Sequence, residues 1–169
     1  MRNDFSQHCG YCDDDDFYSG GSRGYQIDHF KPKCSFPDDV NDYDNLVYSC
    51  PYCNRSKWDT WREEDGFIDP CEDGYDEHII RRDDGSIGYE GSRGKFIFEE
   101  LNLGLKRHQI IWTIKKLESQ NKKLAECIEE LRDSSDKRDS SGLYLKVLEQ
   151  FFETQQRIKN YLSLLRESQ

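Results

Sequence analysis

His8-Cys9-Gly10-Tyr11-Cys12 opens, and Cys50-Pro51-Tyr52-Cys53-Asn54-Arg55-Ser56-Lys57 closes, the stretch that decides how this chain folds. Between the two Cys-x-x-Cys pairs lie Ile27-Asp28-His29-Phe30 and Asp44-Asn45-Leu46. Thiolates at Cys9, Cys12, Cys50 and Cys53 suit a tetrahedral structural Zn²⁺. The competing readings are four buried free thiols or a redox pair. Seven cysteines would also suit a secreted disulfide scaffold. The number is odd, however, and four of them form tight pairs, which in a reducing cytosol points to metal. Cys34 and Cys71 have no partner by spacing, and Cys127 is expected to pack on a helix. His8 reads as an exposed neighbour of the site rather than a ligand.

Working outward, residues 25–30 read as a short strand, ended by Lys31-Pro32-Lys33 because proline lacks the ladder donor and keeps Lys31 extended. Residues 46–49 read as a second strand. Pro51 suits the first turn of a helix carrying Cys53, Asn54 and Lys57, with Asn54 and Lys57, three apart, on one face. The local order is β-β-α. Further on, residues 78–81 and 87–89 flank an Asp-Gly turn and predict a hairpin. Residues 91–94 read as a loop and 96–98 as a strand.

From about Leu105 the period changes. Ile110, Ile114, Leu117, Leu124, Ile128 and Leu131 keep heptad spacing with Asn121 in the polar slot. After a polar break over 133–142, Tyr144, Leu148, Phe151, Ile158, Leu162 and Leu165 repeat it, with Gln155 as polar slot. Two such helices joined by a loop of roughly ten residues predict an antiparallel hairpin. The expected fold is therefore α+β: a small ββα-metal core with a four-cysteine zinc site over residues 1–104, then a long antiparallel helical hairpin over 105–169 suited to binding a partner.

Composition narrows the function. With 34% hydrophobic residues, a second large core is not expected. An aromatic content of 13% is too high for a disordered chain. No apolar run approaches membrane-spanning length, and the N-terminus carries no secretory pattern, so a cytoplasmic protein is expected. The net charge of −10 argues against gripping nucleic acid by bulk electrostatics. It is unevenly spread, −13 over residues 1–104 and +3 over 105–169. An acidic catalytic domain would need its substrate delivered or held by something else.

Asp28 and His29 carry the sharper chemistry. Phosphodiester hydrolysis needs a base to activate water and a divalent cation on the scissile phosphate. Histidine changes charge near neutral pH and suits the base; an aspartate oxygen suits Mg²⁺. Regular alternation would send neighbours to opposite faces, so the strand must end or become irregular here. Lys31, Lys33, Arg55, Lys57 and Arg62 surround these residues in sequence and could contact phosphates, although Arg62 reads better as an ordinary surface cation. The run Asp13-Asp14-Asp15-Asp16 reads as solvated. Trp58 and Trp61 are expected to build the small core, with base stacking the lesser reading. His78 and His108 lack chemical neighbours in sequence.

Taken together, Ile27-Asp28-His29, Asp44-Asn45-Leu46 and Cys53-Asn54-Arg55-Ser56-Lys57 resemble the HNH (ββα-metal) endonucleases with a zinc-stabilised Cys-x-x-Cys frame. The resemblance implies Mg²⁺ or Mn²⁺ held by Asp28 and Asn54, His29 as general base, Asn45 orienting the loop and the histidine, and Lys57, Arg55 and Lys31 near phosphate. It also implies cleavage of DNA to a 5′-phosphate and a 3′-hydroxyl. Asn54 stands where many members have His, which leaves a weaker protein ligand. Flanking segments, Gly66-Phe67-Ile68-Asp69-Pro70, Glu77-His78-Ile79 and Leu101-Asn102-Leu103, resemble HNH proteins encoded beside ATPases in bacterial antiviral systems of the Septu or retron-linked kind. That likeness implies an ATPase partner docking on the C-terminal helices. The alternatives are a catalytically inactive zinc-stapled module that binds nucleic acid or protein, and a nuclease acting on RNA.

Overall fold

The computed structural model describes residues 1–64, 66–133 and 141–167. The polar break expected over 133–142 lies, for residues 134–140, outside them. The chain divides into two compact units, Met1–Gln109 and Ile110–Gln169.

In the first unit, β1 (Gln26–His29) pairs antiparallel with β2 (Leu46–Ser49), and α1 (Pro51–Lys57) follows directly. The register sets Gln26 opposite Ser49 and His29 opposite Leu46. β2 is the inner strand, with Val47, Tyr48 and Ser49 buried. α1 starts where the sequence predicts: Pro51 occupies its first turn, and Cys50 is the N-cap, its Sγ accepting from the Cys53 amide at 3.3 Å. A prospective metal ligand thus also satisfies one of the helix's orphan donors.

A second hairpin supports the first. α2 (Tyr75–His78) leads into β3 (Ile79–Arg81), paired with β4 (Ile87–Tyr89). The expected Asp-Gly turn joins them, with Gly85 at φ +83°, a left-handed conformation that glycine adopts without steric cost. Residues 91–94 and 96–98, expected as loop and strand, instead form one helix, α3 (Gly91–Glu100). Its logic is helical spacing: Gly94 and Ile97 are buried within it, and Leu101 is buried just past its end. Phe96 and Phe98 flank that stripe and pack on Phe67 and Tyr89, both at 5.1 Å. Gly94 must be glycine, since a Cβ there would lie 2.5 Å from the His78 carbonyl oxygen. Leu101-Asn102-Leu103 forms a turn after α3; Leu101 and Leu103 are buried.

The acidic run is not a solvated patch throughout. Asp14 and Asp16 are buried. Asp16 accepts from Arg2 and, at 2.8 Å, from Tyr48. Asp14 Oδ2 lies 2.8 Å from His108 Nδ1 and 3.9 Å from Arg107 Nε, both also buried. The Arg107 guanidinium stacks over the Tyr52 ring at 3.8 Å. Alternate carboxylates turn inward to meet cations far away in sequence, so His108, which lacked neighbours in sequence, has one in space.

α4 (Lys106–Asp133), from Ile110 onward, and α5 (Ser141–Glu167) supply the second unit. α4 buries Ile111, Ile114, Leu117 and Asn121, and α5 buries Thr154, Ile158 and Leu165. The buried polar position of α5 is Thr154, not the expected Gln155, which is exposed. One residue along a helix rotates about 100°, and Thr154 can satisfy itself by donating to the Gln150 carbonyl at 2.8 Å. Cys127, expected to be packed, is exposed. Among the described residues no helix is long and apolar enough to cross a membrane.

Candidate active site and metal centre

The four cysteines converge. Sγ atoms of Cys9, Cys12, Cys50 and Cys53 all lie within 4.8 Å of one another and are buried. Cys12 and Cys50 are 3.8 Å apart, and tetrahedral zinc with Zn–S bonds near 2.3 Å requires sulfurs roughly 3.8 Å apart. Amides of Cys50 and Cys53 point at Cys9 and Cys50 sulfurs at 3.3 Å, which favours thiolates. Burial pushes the Cys12 thiol well above its usual value. Burial also opposes ionisation of Cys9, yet donors from the other three cysteines hold it well below its usual value. Four thiolates in this dry pocket need a dication to coexist, so the donor set fits zinc.

β1 ends at His29, and this lets consecutive residues serve one site. Asp28, His29 and Asn54 line a single open cleft of about 320 Å³ together with Ile27, Pro32, Lys33, Trp58 and Asp59. Asp28 is buried at its inner side: the Tyr11 hydroxyl donates to Oδ2 at 2.6 Å, and Lys57 Nζ lies 3.1 Å from the same oxygen. Both partners use Oδ2, leaving Oδ1 as the oxygen that could meet a cation in the cleft. Asn54 donates through Nδ2 to Gln26 Oε1, so its carbonyl oxygen is the group left for a ligand. A carboxylate oxygen and an amide oxygen beside open solvent form a hard donor set that suits Mg²⁺ or Mn²⁺.

His29 Nε2 is 3.1 Å from the Val40 carbonyl. A carbonyl only accepts, so Nε2 carries the proton and Nδ1 keeps its lone pair in the neutral ring. That is the tautomer a general base needs. Asn45 is buried behind the loop: its Oδ1 accepts from the Lys31 amide at 2.7 Å, and its Nδ2 donates to carbonyls of Lys31 and Asp39 at 3.2 Å each. Its own carbonyl takes the Phe30 amide at 2.9 Å. Asn45 therefore positions the segment that holds His29 and does not line the cleft.

Lys57 departs from expectation. It is fully buried, donates to the His29 carbonyl at 2.8 Å, and sits 5.7 Å from the Phe67 ring centre. It faces inward as the counter-ion of Asp28, so it is not a phosphate contact. Lys31 is half-exposed, 3.5 Å from Asp39 and over the Phe36 ring. Arg55 is exposed, while Arg62 stacks on Phe96 at 4.7 Å. Lys33 lines the cleft itself. Trp61 joins the core against Phe30 and Phe36, but Trp58 is 74% exposed. Tyr11 and Gln26 were not legible as site residues. The only signal for Tyr11 is its place inside the first Cys-x-x-Cys, which fixes its ring beside β1.

Burial raises the Asp28 carboxyl above the ordinary aspartate value of 3.8, against the lowering pull of Lys57 and Tyr11. The folded state thus holds this proton more tightly than the unfolded chain. Its contribution to stability is greatest at low pH and falls as pH rises from 3.8 through the folded value. Lys57→Met removes one lowering influence and strands a charge, so it should destabilise by about 3–5 kcal/mol at neutral pH. The deficit should shrink as the pH is lowered and Asp28 protonates. Denaturant titration at neutral and acid pH reads both; an equal deficit at each pH contradicts the pairing.

Comparison with curated proteins and with solved structures gave no match. The family model described as HNH endonuclease matches residues 9–60, a span that takes in both cysteine pairs, β1, β2 and α1.

Proposed function

We propose that the chain is a Mg²⁺- or Mn²⁺-dependent HNH endonuclease hydrolysing DNA phosphodiester bonds. The observation that carries this reading is the meeting of Asp28, His29 and Asn54 on one cleft, with His29 Nε2 tied to the Val40 carbonyl. Asp28 and Asn54 would hold the divalent cation, whose chemistry is to neutralise charge building on the phosphate and leaving oxygen. His29 Nδ1 accepts the proton of the attacking water. The Val40 carbonyl fixes the ring throughout. Asn45 keeps the loop in register; Lys31, Lys33 and Arg55 offer charge to flanking phosphates.

We assign residues 1–104 as the cutting head and 105–169 as an antiparallel pair of helices for docking a partner. Large apolar side chains left exposed on α5, Leu145, Phe152 and Leu164, the acidic balance of the head and the mildly basic tail favour a nuclease held on its substrate by another protein. An ATPase in an antiphage complex in the cytoplasm is the partner this reading names. Zinc-loaded chain, alone and with a co-encoded ATPase, should nick plasmid DNA when Mg²⁺ or Mn²⁺ is added and not without it. Size exclusion should show the two proteins together. Binding of nucleic acid without cleavage under any divalent cation would favour the inactive binding module instead.

A further inference from the structure

Trp58 sits where its backbone is costly. Its φ is 46° and ψ −125°, and the Thr60 amide closes a turn onto the Lys57 carbonyl at 2.9 Å. These angles are near the roughly +60°, −120° of the first central residue of a type II′ turn, a position dominated by glycine. A bulky residue there is strained. The strain is not offset by packing: the ring is 74% exposed and, among the described residues, makes none of the ring contacts that hold Trp61.

The ring's place is specific. Trp58 lies one helical turn past Asn54, its amide capping α1 at the Asn54 carbonyl, and it lines the cleft of Asp28 and His29. Ile27, another large apolar residue left exposed at 46%, lines the same cleft, as does Pro32. Apolar surfaces therefore border a polar centre that can hold a cation and a base. A ligand matching both carries a flat apolar face next to a phosphate, which is the make-up of a nucleotide with its base unstacked.

Resting on the nuclease reading, we infer that Trp58 is a stacking platform for an unpaired nucleobase beside the scissile phosphate. The enzyme then acts on single-stranded, frayed or flipped positions rather than on an undisturbed duplex. DNA and RNA share this base chemistry, and stacking is tolerant of sequence.

The test uses the full zinc-loaded chain with short single-stranded DNA, the same sequence as RNA, and the fully paired duplex. Binding is followed by fluorescence anisotropy in a His29→Ala background, where the substrate stays intact. Trp58→Gly should weaken single-strand binding roughly 10-fold or more, with Trp58→Phe losing less. Because glycine suits the turn, Trp58→Gly should melt at the same temperature or higher, whereas a structural tryptophan would lower it. With His29 intact, Trp58→Gly should raise KM and spare kcat. Unchanged single-strand binding by Trp58→Gly overturns the inference, as does a loss accompanied by a lower Tm, or equal Trp58 dependence on the paired duplex. Cleavage by Trp58→Gly at wild-type KM would sink the stacking role but leave the nuclease reading standing. Trp58-dependent binding with no cleavage by the wild type would do the reverse.

Discussion

Changing Cys50 and Cys53 together to serine, or stripping the metal with a strong chelator, is expected to unfold residues 1–109 rather than loosen them. The strands around the centre are short: β1 and β2 have 4 residues each, and β3 and β4 have 3. Two-stranded sheets of that length are marginal without further support. All four cysteines are in the buried core cluster with Tyr11, Val47 and Tyr48, and Cys50 caps α1. Structural zinc contributes about 10–16 kcal/mol of apparent binding energy in small metal-folded peptides, comparable to or larger than the roughly 5–15 kcal/mol stability of a whole domain. Elemental analysis should therefore find about one zinc per wild-type chain, and the double mutant should lose both the metal and the near-UV circular dichroism of its packed tyrosines. A metal-free chain that keeps that signal would refute the zinc assignment.

The centre was legible because its information is local. Cysteine spacing and Pro51 foretell β1, β2 and α1 almost residue by residue, and the Asp-Gly step foretells the β3–β4 turn. What was hidden depends on distant partners. Asp14 reads as one carboxylate of a charged run until His108, 94 positions away, is brought beside it. Lys57 reads as a phosphate contact on a helix until Asp28 and the His29 carbonyl, 29 and 28 positions back, are placed beneath it. α3 was missed for a different reason: Phe96-Ile97-Phe98 has the side chains of a strand, and two glycines precede it. Tertiary packing overrode propensity, since Gly94 allows close approach to His78 and Ile97 fills the core. Thr154 and Gln155 differ by one position, beyond what a heptad reading with one polar slot resolves. The exposure of Trp58 could not be read from composition, because a tryptophan after a short helix is ordinarily core.

His29→Ala should reduce DNA cleavage roughly 10²–10⁴-fold, the usual contribution of a general base, with zinc content and melting temperature unchanged. Stability should survive because, among the described residues, the imidazole makes one hydrogen bond, to Val40, while the interactions that organise this segment use its backbone. The His29 carbonyl still receives Lys57, and the β1 register opposite Leu46 is independent of the side chain. Asn45→Ala provides the contrast. It removes three hydrogen bonds that tie Lys31 and Asp39 together, each worth about 0.5–1.5 kcal/mol to part-buried backbone groups. That variant should lose activity and melt at a lower temperature. If Asn45 acted in the chemistry alone, its Tm would hold; if His29 were merely structural, its Tm would fall with its activity. Equal cleavage by His29→Ala and wild type in Mg²⁺ would remove His29 as the base, and with it the reason for its lone pair at Nδ1.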